Sequence, residues 1–458
     1  MDNQASTFIP KLKRSMRKLI LILSFGLMVG ICEGMSLSLA QQNSTWTLEK
    51  CIDYALNRNI QVRKSELSNH QYEVYSEQAK AQRFPSANAS IGQNFNWTKS
   101  TATAGSGLTG SNGSSYSVNS GVTIFNASKL TNLIKQADLS IESGKYSLET
   151  TKESISLNIL DAFLQILYAE EQVHNSEKQI VSTASQLNLA EERLILKAIS
   201  QTDYAQVKSQ LASEKLTLAN SQSQLVIARV TLEQLMELPV TDNFKIAHPN
   251  LTESLNQNRT PDVKSVYELA LGIKPQIKNA AINKEIASYD EKVARAGLFP
   301  TLAASAGISS GYTSLISSSY FGQINNEIYP SVGFSLSIPI YQKKQVKTSI
   351  AVAKIGYQNA ELSEIDTRNT LRKNIEQACV DVSSAQIKYE ASKENYTATL
   401  EASVLSDEKF KQGVINSVDY LVSKTNLIVA ESELLQSKYN LIVSYKILDF
   451  YMGIPLSL

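Results

Sequence analysis

The chain has 458 residues, 43% of them hydrophobic and 19% charged, enough to bury one large core or two to three domains, so a disordered protein is excluded. Its 44 basic and 43 acidic side chains nearly cancel, and no basic block lies beyond residue 18, so nothing points to nucleic acid. The one apolar run near membrane length, Leu19 to Ile31, is too short and too N-terminal for a bundle of spanning helices, which excludes a polytopic inner-membrane transporter.

The N-terminus reads as a secretory signal peptide. Lys11, Lys13, Arg14, Arg17 and Lys18 form a cationic region, Leu19 to Ile31 an apolar one, and Ser38-Leu39-Ala40 a small-x-small cleavage site before Gln41. A lipoprotein reading at Cys32 is disfavoured by the bulky Ile31 before it. Cleavage leaves Cys51 and Cys379, too few for a disulfide framework. Both fall in helical patterns and read as buried small apolar residues, a bridge between them being the lesser alternative.

Thr47 to Arg83 is predicted as a helix ended by Phe84-Pro85, because proline pushes the residue before it out of the helical region. Two strands follow. Ala87, Ala89, Ile91, Phe95 and Trp97 alternate with Ser86, Asn88, Ser90, Asn94 and Asn96; Val118, Val122 and Ile124 alternate with Ser117, Asn119 and Thr123. Residues 98–115 between them, rich in Gly, Ser and Thr, read as a low-complexity loop. The polar face holds Ser, Asn, Gly and Thr where a soluble sheet would carry Lys and Glu, and strands of this length and pattern suit a transmembrane barrel.

A proline-free helical stretch runs from Ala127 to about Lys197, then a break, then a second helix with Tyr204, Leu211, Leu218, Leu225 and Leu232 seven apart. These leucines, with Val207, Ser221, Ala228 and Leu235 as partners, are coiled-coil packing residues.

Everything then recurs. An offset of 215 pairs Phe84/Phe299, Pro85/Pro300, Gln61/Gln276 and Gly92/Gly307, and an offset of 216 pairs Asp203/Asp419, Tyr204/Tyr420, Leu211/Leu427 and Met236/Met452. The expected organisation is a signal peptide at 1–40, a first repeat at 41–240, a polar linker at 241–261 and a second repeat at 262–458. The second repeat carries a helix over 262–298, strands near 302–312 and 329–340, a long helix from Gln342 to about Gln412, and heptads at Tyr420, Leu427, Leu434, Leu441 and Leu448. Four strands cannot close a barrel, and an open edge in lipid leaves backbone groups unpaired, so closure demands oligomerisation. A dimer would give eight strands and a filled interior, a trimer twelve and room for an aqueous lumen.

With this element order given twice, the mature chain resembles the TolC family of outer membrane efflux proteins. The most specific match is the run from Lys409 to Leu421, KFKQGVINSVDYL, followed by Thr425-Asn426-Leu427; Lys197 to Tyr204, KAISQTDY, is its first-repeat counterpart, with Ala198 where a small tip residue is expected. The resemblance implies an α+β membrane protein. It would be a homotrimer with a twelve-stranded outer-membrane β-barrel, four strands per chain, and a long periplasmic α-helical coiled-coil barrel. Implied partners are a second and third copy, outer-membrane lipid, a periplasmic adaptor (membrane fusion) protein and an inner-membrane pump such as a resistance-nodulation-division or ABC transporter. The implied function is passive conduction of exported solutes in a tripartite efflux or type I secretion system, with no cofactor.

The resemblance also implies sites. Asp419 falls at the periplasmic entrance, where three copies would form an acidic ring; Asp203, Tyr420, Ile415 and Val422 are its companions. Lys197, Ala198, Ile199 and Ser200 in the first tip, and Gln412, Gly413, Val414 and Asn416 in the second, are the expected adaptor contacts. The plainer reading of both aspartates is helix N-terminal stabilisation. The family pattern places an arginine near the second tip and a further aspartate one turn after the first, where this chain has Ile415 and Val422, so closure is expected to lean on apolar contact.

No enzyme constellation is present: His70, His174 and His248 lie far apart in sequence, and no GxSxG, HExxH, P-loop or CxxC occurs. The rival reading is a periplasmic or surface coiled-coil binding protein without a pore.

Overall fold

The computed structural model describes residues 45–99, 108–239, 244–251 and 262–458. The signal-peptide reading and most of the linker reading lie outside the described residues. Residues 46–242 and 246–458 form one compact unit, to which all elements below belong.

The sequence predicts one helix at the start of each half; the structure has two. The first half begins with α1 (Leu48–Arg58) and α2 (Ile60–Ala81), the second with α5 (Val263–Ile273) and α6 (Pro275–Ala296). The breaks fall at Asn59 and Lys274. The Asn59 side chain caps α2 by accepting from the Gln61 amide at 2.8 Å, and Pro275 opens α6, where the proline's missing N–H costs nothing.

Each break also clasps the end of another helix. Asn59 Nδ2 donates to the Leu235 carbonyl at 2.8 Å, at the end of α4 (Gln201–Leu235). Buried Lys274 lies 3.2 Å from the ring centroid of Phe450 near the end of α9 (Ser417–Tyr451), with Glu153 Oε1 at 3.1 Å. A cation there suits both the ring face and the negative end of the helix dipole. Burial holds this ammonium below its usual range, partly offset by Glu153.

The strands are β1 (Ser86–Lys99), β2 (Leu108–Phe125), β3 (Thr301–Thr313) and β4 (Tyr329–Ser337), in one antiparallel sheet of that order, with β1 and β4 at its edges. β2 begins well before the predicted residue 116. Gly110, Ser111, Gly113 and Ser114 read as loop by composition, yet they pair with β1 from Lys99↔Leu108 onward. The β3–β4 connection carries a short helix, α7 (Tyr320–Asn326), and β4 stops at Ser337, short of 340.

The register sorts the side chains into two faces. Ala89, Val118, Ile308 and Pro330 lie in one cross-strand row, and Val122, Ala304 and Phe334 in another of the same parity. Ile91 and Trp97 share that face. The opposite face holds Ser90, Ser117 and Ser309 in one row and Asn119, Gly307 and Ser331 in the next. Ser90 and Ser117 hydroxyls are 2.6 Å apart. A β-bulge at Ile124 brings Phe125 opposite Leu302, so Ile124 leaves the alternation the sequence suggests. Within the four strands the only ionisable acid or base among Asp, Glu, Lys and Arg is Lys99, at the end of β1.

The long helices are α3 (Lys129–Ile195) and α8 (Gln345–Lys411), each of 67 residues and so about 100 Å long. α3 packs on α4 and α8 on α9, while α6 lies against both α3 and α8. Val207, Leu211, Ser221, Ala228 and Leu232 are buried along α4, the seam expected of heptads. Val266, Ala270, Ile277, Leu371, Ile375, Val382, Leu441, Tyr445 and Leu448 form a buried cluster in the second half. Cys51 and Cys379 are buried and unbridged, and burial pushes the Cys51 thiol up to about 12. Among the described residues, no helix is long and apolar enough to cross a membrane.

The backbone repeats itself at its most constrained points. Left-handed φ values occur at Ala127, Ser128, Lys197 and Glu237, and again 216 residues later at Lys343, Lys344, Gly413 and Gly453. These are the strand-to-helix corners, the hairpin tips and the ends of the halves.

Candidate functional site at the hairpin tips

The α3–α4 and α8–α9 turns form two hairpin tips of matching geometry. In the first, the Ala198 amide donates to the Arg193 carbonyl at 2.8 Å and the Lys197 amide to Leu194 at 2.9 Å; in the second, Val414 donates to Lys409 at 2.9 Å and Gly413 to Phe410 at 3.1 Å. This is a helix stop built on a left-handed residue. Lys197 (φ 57°) therefore matches Gly413 (φ 76°), and Ala198 matches Val414. The small residue expected at Ala198 is one place beyond the position that needs conformational freedom.

The new helices start on caps. Ser200 and Asp203 make a capping box: the Asp203 amide donates to Ser200 Oγ, and the Asp203 carboxylate accepts from the Ser200 amide at 3.1 Å and its hydroxyl at 2.7 Å. In the second tip, Asn416 Oδ1 accepts from the Asp419 amide at 2.8 Å. The Asp419 carboxylate is exposed.

The two tips are tied to each other. Ser417 Oγ donates to the Asp203 carboxylate and lies 2.8 Å from Gln206 Oε1. The hydrogen bond from Ser417, then those from the Ser200 side chain and backbone, hold the Asp203 carboxyl below the usual range. Arg193, in the last turn of α3, donates from Nη1 to the Phe410 carbonyl at 3.2 Å and from Nη2 to Lys411 at 2.6 Å. Its guanidinium sits 5.6 Å from the Phe410 ring centroid, and Phe410 stacks on Tyr420 at 4.6 Å. Tyr420 is 2% exposed, and burial raises its hydroxyl pKa.

The predicted site residues therefore separate. Lys197, Ala198, Gln412, Gly413, Val414 and Asn416 are exposed on the tips, with Ile199 and Ile415 half-buried; Ser200 is exposed but engaged in its cap. Asp419 and Val422 are exposed on α9. Asp203 is engaged in hydrogen bonds, and Tyr420 is tip core. Sequence reasoning missed Arg193 and Ser417. Arg193 could have been noticed as a cation in the last turn of a helix; Ser417 has no signal beyond its place next to a cap.

Elsewhere, His174 and His248, distant in sequence, line one cavity of about 410 Å³ with Glu170, Glu171, Lys438 and Tyr439. His248 Nε2 is 3.5 Å from Glu170 Oε2. Among the described residues, no group of His, Cys, Asp and Glu could hold a metal ion.

Solved structures share this fold. CusC, described for its transmembrane channel formation, superposes with a TM-score of 0.78 at 17% identity, covering 91% of this chain and 96% of CusC. The Campylobacter jejuni outer membrane channel CmeC gives 0.76 at 16% identity over 90% and 86%. The outer membrane protein VceC of Vibrio cholerae gives 0.72 at 15% identity over 89% and 96%. No curated protein matches the chain by sequence. A family profile described as "Outer membrane efflux protein" matches residues 51–237 and again 266–453. The twofold element order, the four alternating strands and these two matches identify the chain as a member of the outer membrane efflux protein family, channels with a β-barrel in the outer membrane and helices extending into the periplasm.

Proposed function

We propose that three copies close a twelve-stranded barrel and that the paired hairpin tips form its periplasmic entrance, opened by a periplasmic adaptor protein coupled to an inner-membrane pump. The carrying observation is the sheet: its two open edges, β1 and β4, belong to strands with one apolar and one hydroxyl- and amide-bearing face. Edges in hydrocarbon must pair, and three copies pair every edge while leaving a lumen. The chain itself does no chemistry in this reading; solutes pass through it, and energy enters at the pump.

At the entrance, Asp419 is the selectivity residue. Its carboxylate is exposed while its equivalent, Asp203, is engaged in hydrogen bonds. Three such carboxylates around one axis attract cations. Lys197, Ala198, Gln412, Gly413 and Val414 at the tips are the adaptor-facing surface, with Ile199, Ser200 and Asn416 beside them.

Planar-bilayer recording of Asp419→Asn tests this. Cation preference and block by multivalent cations should both fall, with assembly intact. Unchanged selectivity together with lower thermal stability would make Asp419 a helix-start residue and overturn the assignment.

A further inference from the structure

The β3–β4 connection, residues 314–328, lies at the end of the sheet remote from the helices, because β3 leaves α6 and β4 returns to α8. With the helices periplasmic, this is the outer end. The connection is fastened. Gln323, 2% exposed, accepts from the Thr313 amide at 2.9 Å and donates to the Thr313 and Ser318 carbonyls at 3.1 Å each. Ser310 Oγ donates to the Ile324 carbonyl at 2.8 Å. The Tyr116 and Tyr320 hydroxyls are hydrogen-bonded, and the Tyr312 and Tyr320 rings lie 4.8 Å apart.

The anchor points reveal the side. Ile91, Tyr116 and Ser310 form one cross-strand row, and Tyr312 pairs with Ser114 two rows outward on the same face as Val118, Ile308 and Phe334. α7 is therefore folded back over the apolar wall, opposite the Ser/Asn/Gly face. Beneath and beside it the apolar wall is interrupted by polar side chains: Ser114, buried and bonded to Gln93 Oε1 at 2.5 Å, and Ser310, bonded to α7. Such groups facing hydrocarbon need partners within the protein.

The connection presents apolar side chains outward, among exposed serines and the exposed Asn325 and Asn326 at the end of α7. Leu315 and Phe321 are each 75% exposed, and Ile316 is exposed too. Ile91, Phe95 and Trp97 are likewise exposed apolar side chains, on the face over which α7 is folded. We infer that residues 314–328 form a flap seated in the outer leaflet, covering the polar end of the barrel's outer wall and placing Leu315, Ile316 and Phe321 against lipid acyl chains. The occupant is hydrocarbon, since the flap is fastened to the apolar face through Tyr116, Ser310 and Tyr312 and carries no Lys or Arg for a headgroup.

The inference rests on the barrel reading, and one experiment separates the two. Nitroxide labels are placed singly at Phe321→Cys, Ile91→Cys and Ser90→Cys in a cysteine-free, full-length channel reconstituted in phospholipid vesicles, and relaxation by oxygen and by a water-soluble nickel complex is read. Phe321→Cys should match Ile91→Cys, with a several-fold loss of nickel accessibility relative to Ser90→Cys. Nickel accessibility equal to that of Ser90→Cys overturns the flap while the barrel stands; equal accessibility at Ile91 and Ser90 overturns both. A bulky maleimide on Phe321→Cys should leave single-channel conductance unchanged, and block of the conductance would place the flap in the lumen and overturn it.

Discussion

Arg193 closes a helix to which it does not belong: its Nη2 lies 2.6 Å from the carbonyl of Lys411, the last residue of α8. A side chain of the first hairpin thereby satisfies orphan carbonyls of the second.

Removing this tie should loosen the tips. Hydrogen bonds with one charged partner contribute about 1.5–3 kcal/mol when sheltered, and Arg193 is only half-buried, so Arg193→Met should cost roughly 1–2 kcal/mol locally. The expected result is a higher single-channel conductance with barrel assembly unchanged in gels. Wild-type conductance would show that the tie plays no part in holding the entrance.

The Asp203–Ser417 bond should give the tips an acid-sensitive component. Folding lowers the Asp203 pKa, so the unfolded chain binds the proton more readily. The stabilisation is complete above the ordinary value of 3.8 and is lost as pH falls through the lower folded value. Ser417→Ala removes the largest cause, so its acid-induced opening should begin at higher pH than wild type. In Asp203→Asn the same substitution should shift nothing. Acid titration of a fluorophore pair across the two tips reads both.

Lys197 adopts a left-handed backbone that costs a side-chain-bearing residue about 1–2 kcal/mol. Lys197→Gly should recover part of this, and Gly413→Ala should lose a similar amount, both visible as opposite shifts in thermal midpoint. Equal and parallel shifts would contradict the matched geometry of the tips.

Gly144 permits α3 to approach α2: a Cβ there would meet the Tyr72 ring at 2.9 Å and the Asn69 side chain. Gly144→Leu should force the two helices apart and lower stability by about 1–3 kcal/mol. Gly356, on α8, has open space around it, and Gly356→Leu is the control that should be tolerated.

Much of this architecture is legible in residue order, because period-two strands and proline-terminated helices are local signals. Phe84-Pro85 and Phe299-Pro300 mark helix-to-strand corners without tertiary knowledge. The start of β2 is not legible: Gly110, Ser111 and Gly113 have loop propensity, and only pairing with β1 overrides it. The break at Lys274 is half-visible, since Pro275 is a helix-start signal, whereas the break at Asn59 has no proline to mark it. At the tips, caps at Ser200 and Asn416 can be read from spacing, whereas the Arg193 and Ser417 ties join residues more than 200 positions apart and depend on how the hairpins lie together.

The strand face bearing Ser90, Ser117, Asn119, Ser309 and Ser331 has consequences for transit. Its hydroxyls and amides can exchange hydrogen bonds with a passing molecule about as readily as water does, and only Lys99 supplies a fixed charge within the strands. Such a wall offers neither a deep well to detain cargo nor a barrier of like charge to repel it. It acts as a wetted sleeve, indifferent to the sign and shape of what slides through, and leaves discrimination to the far end of the molecule.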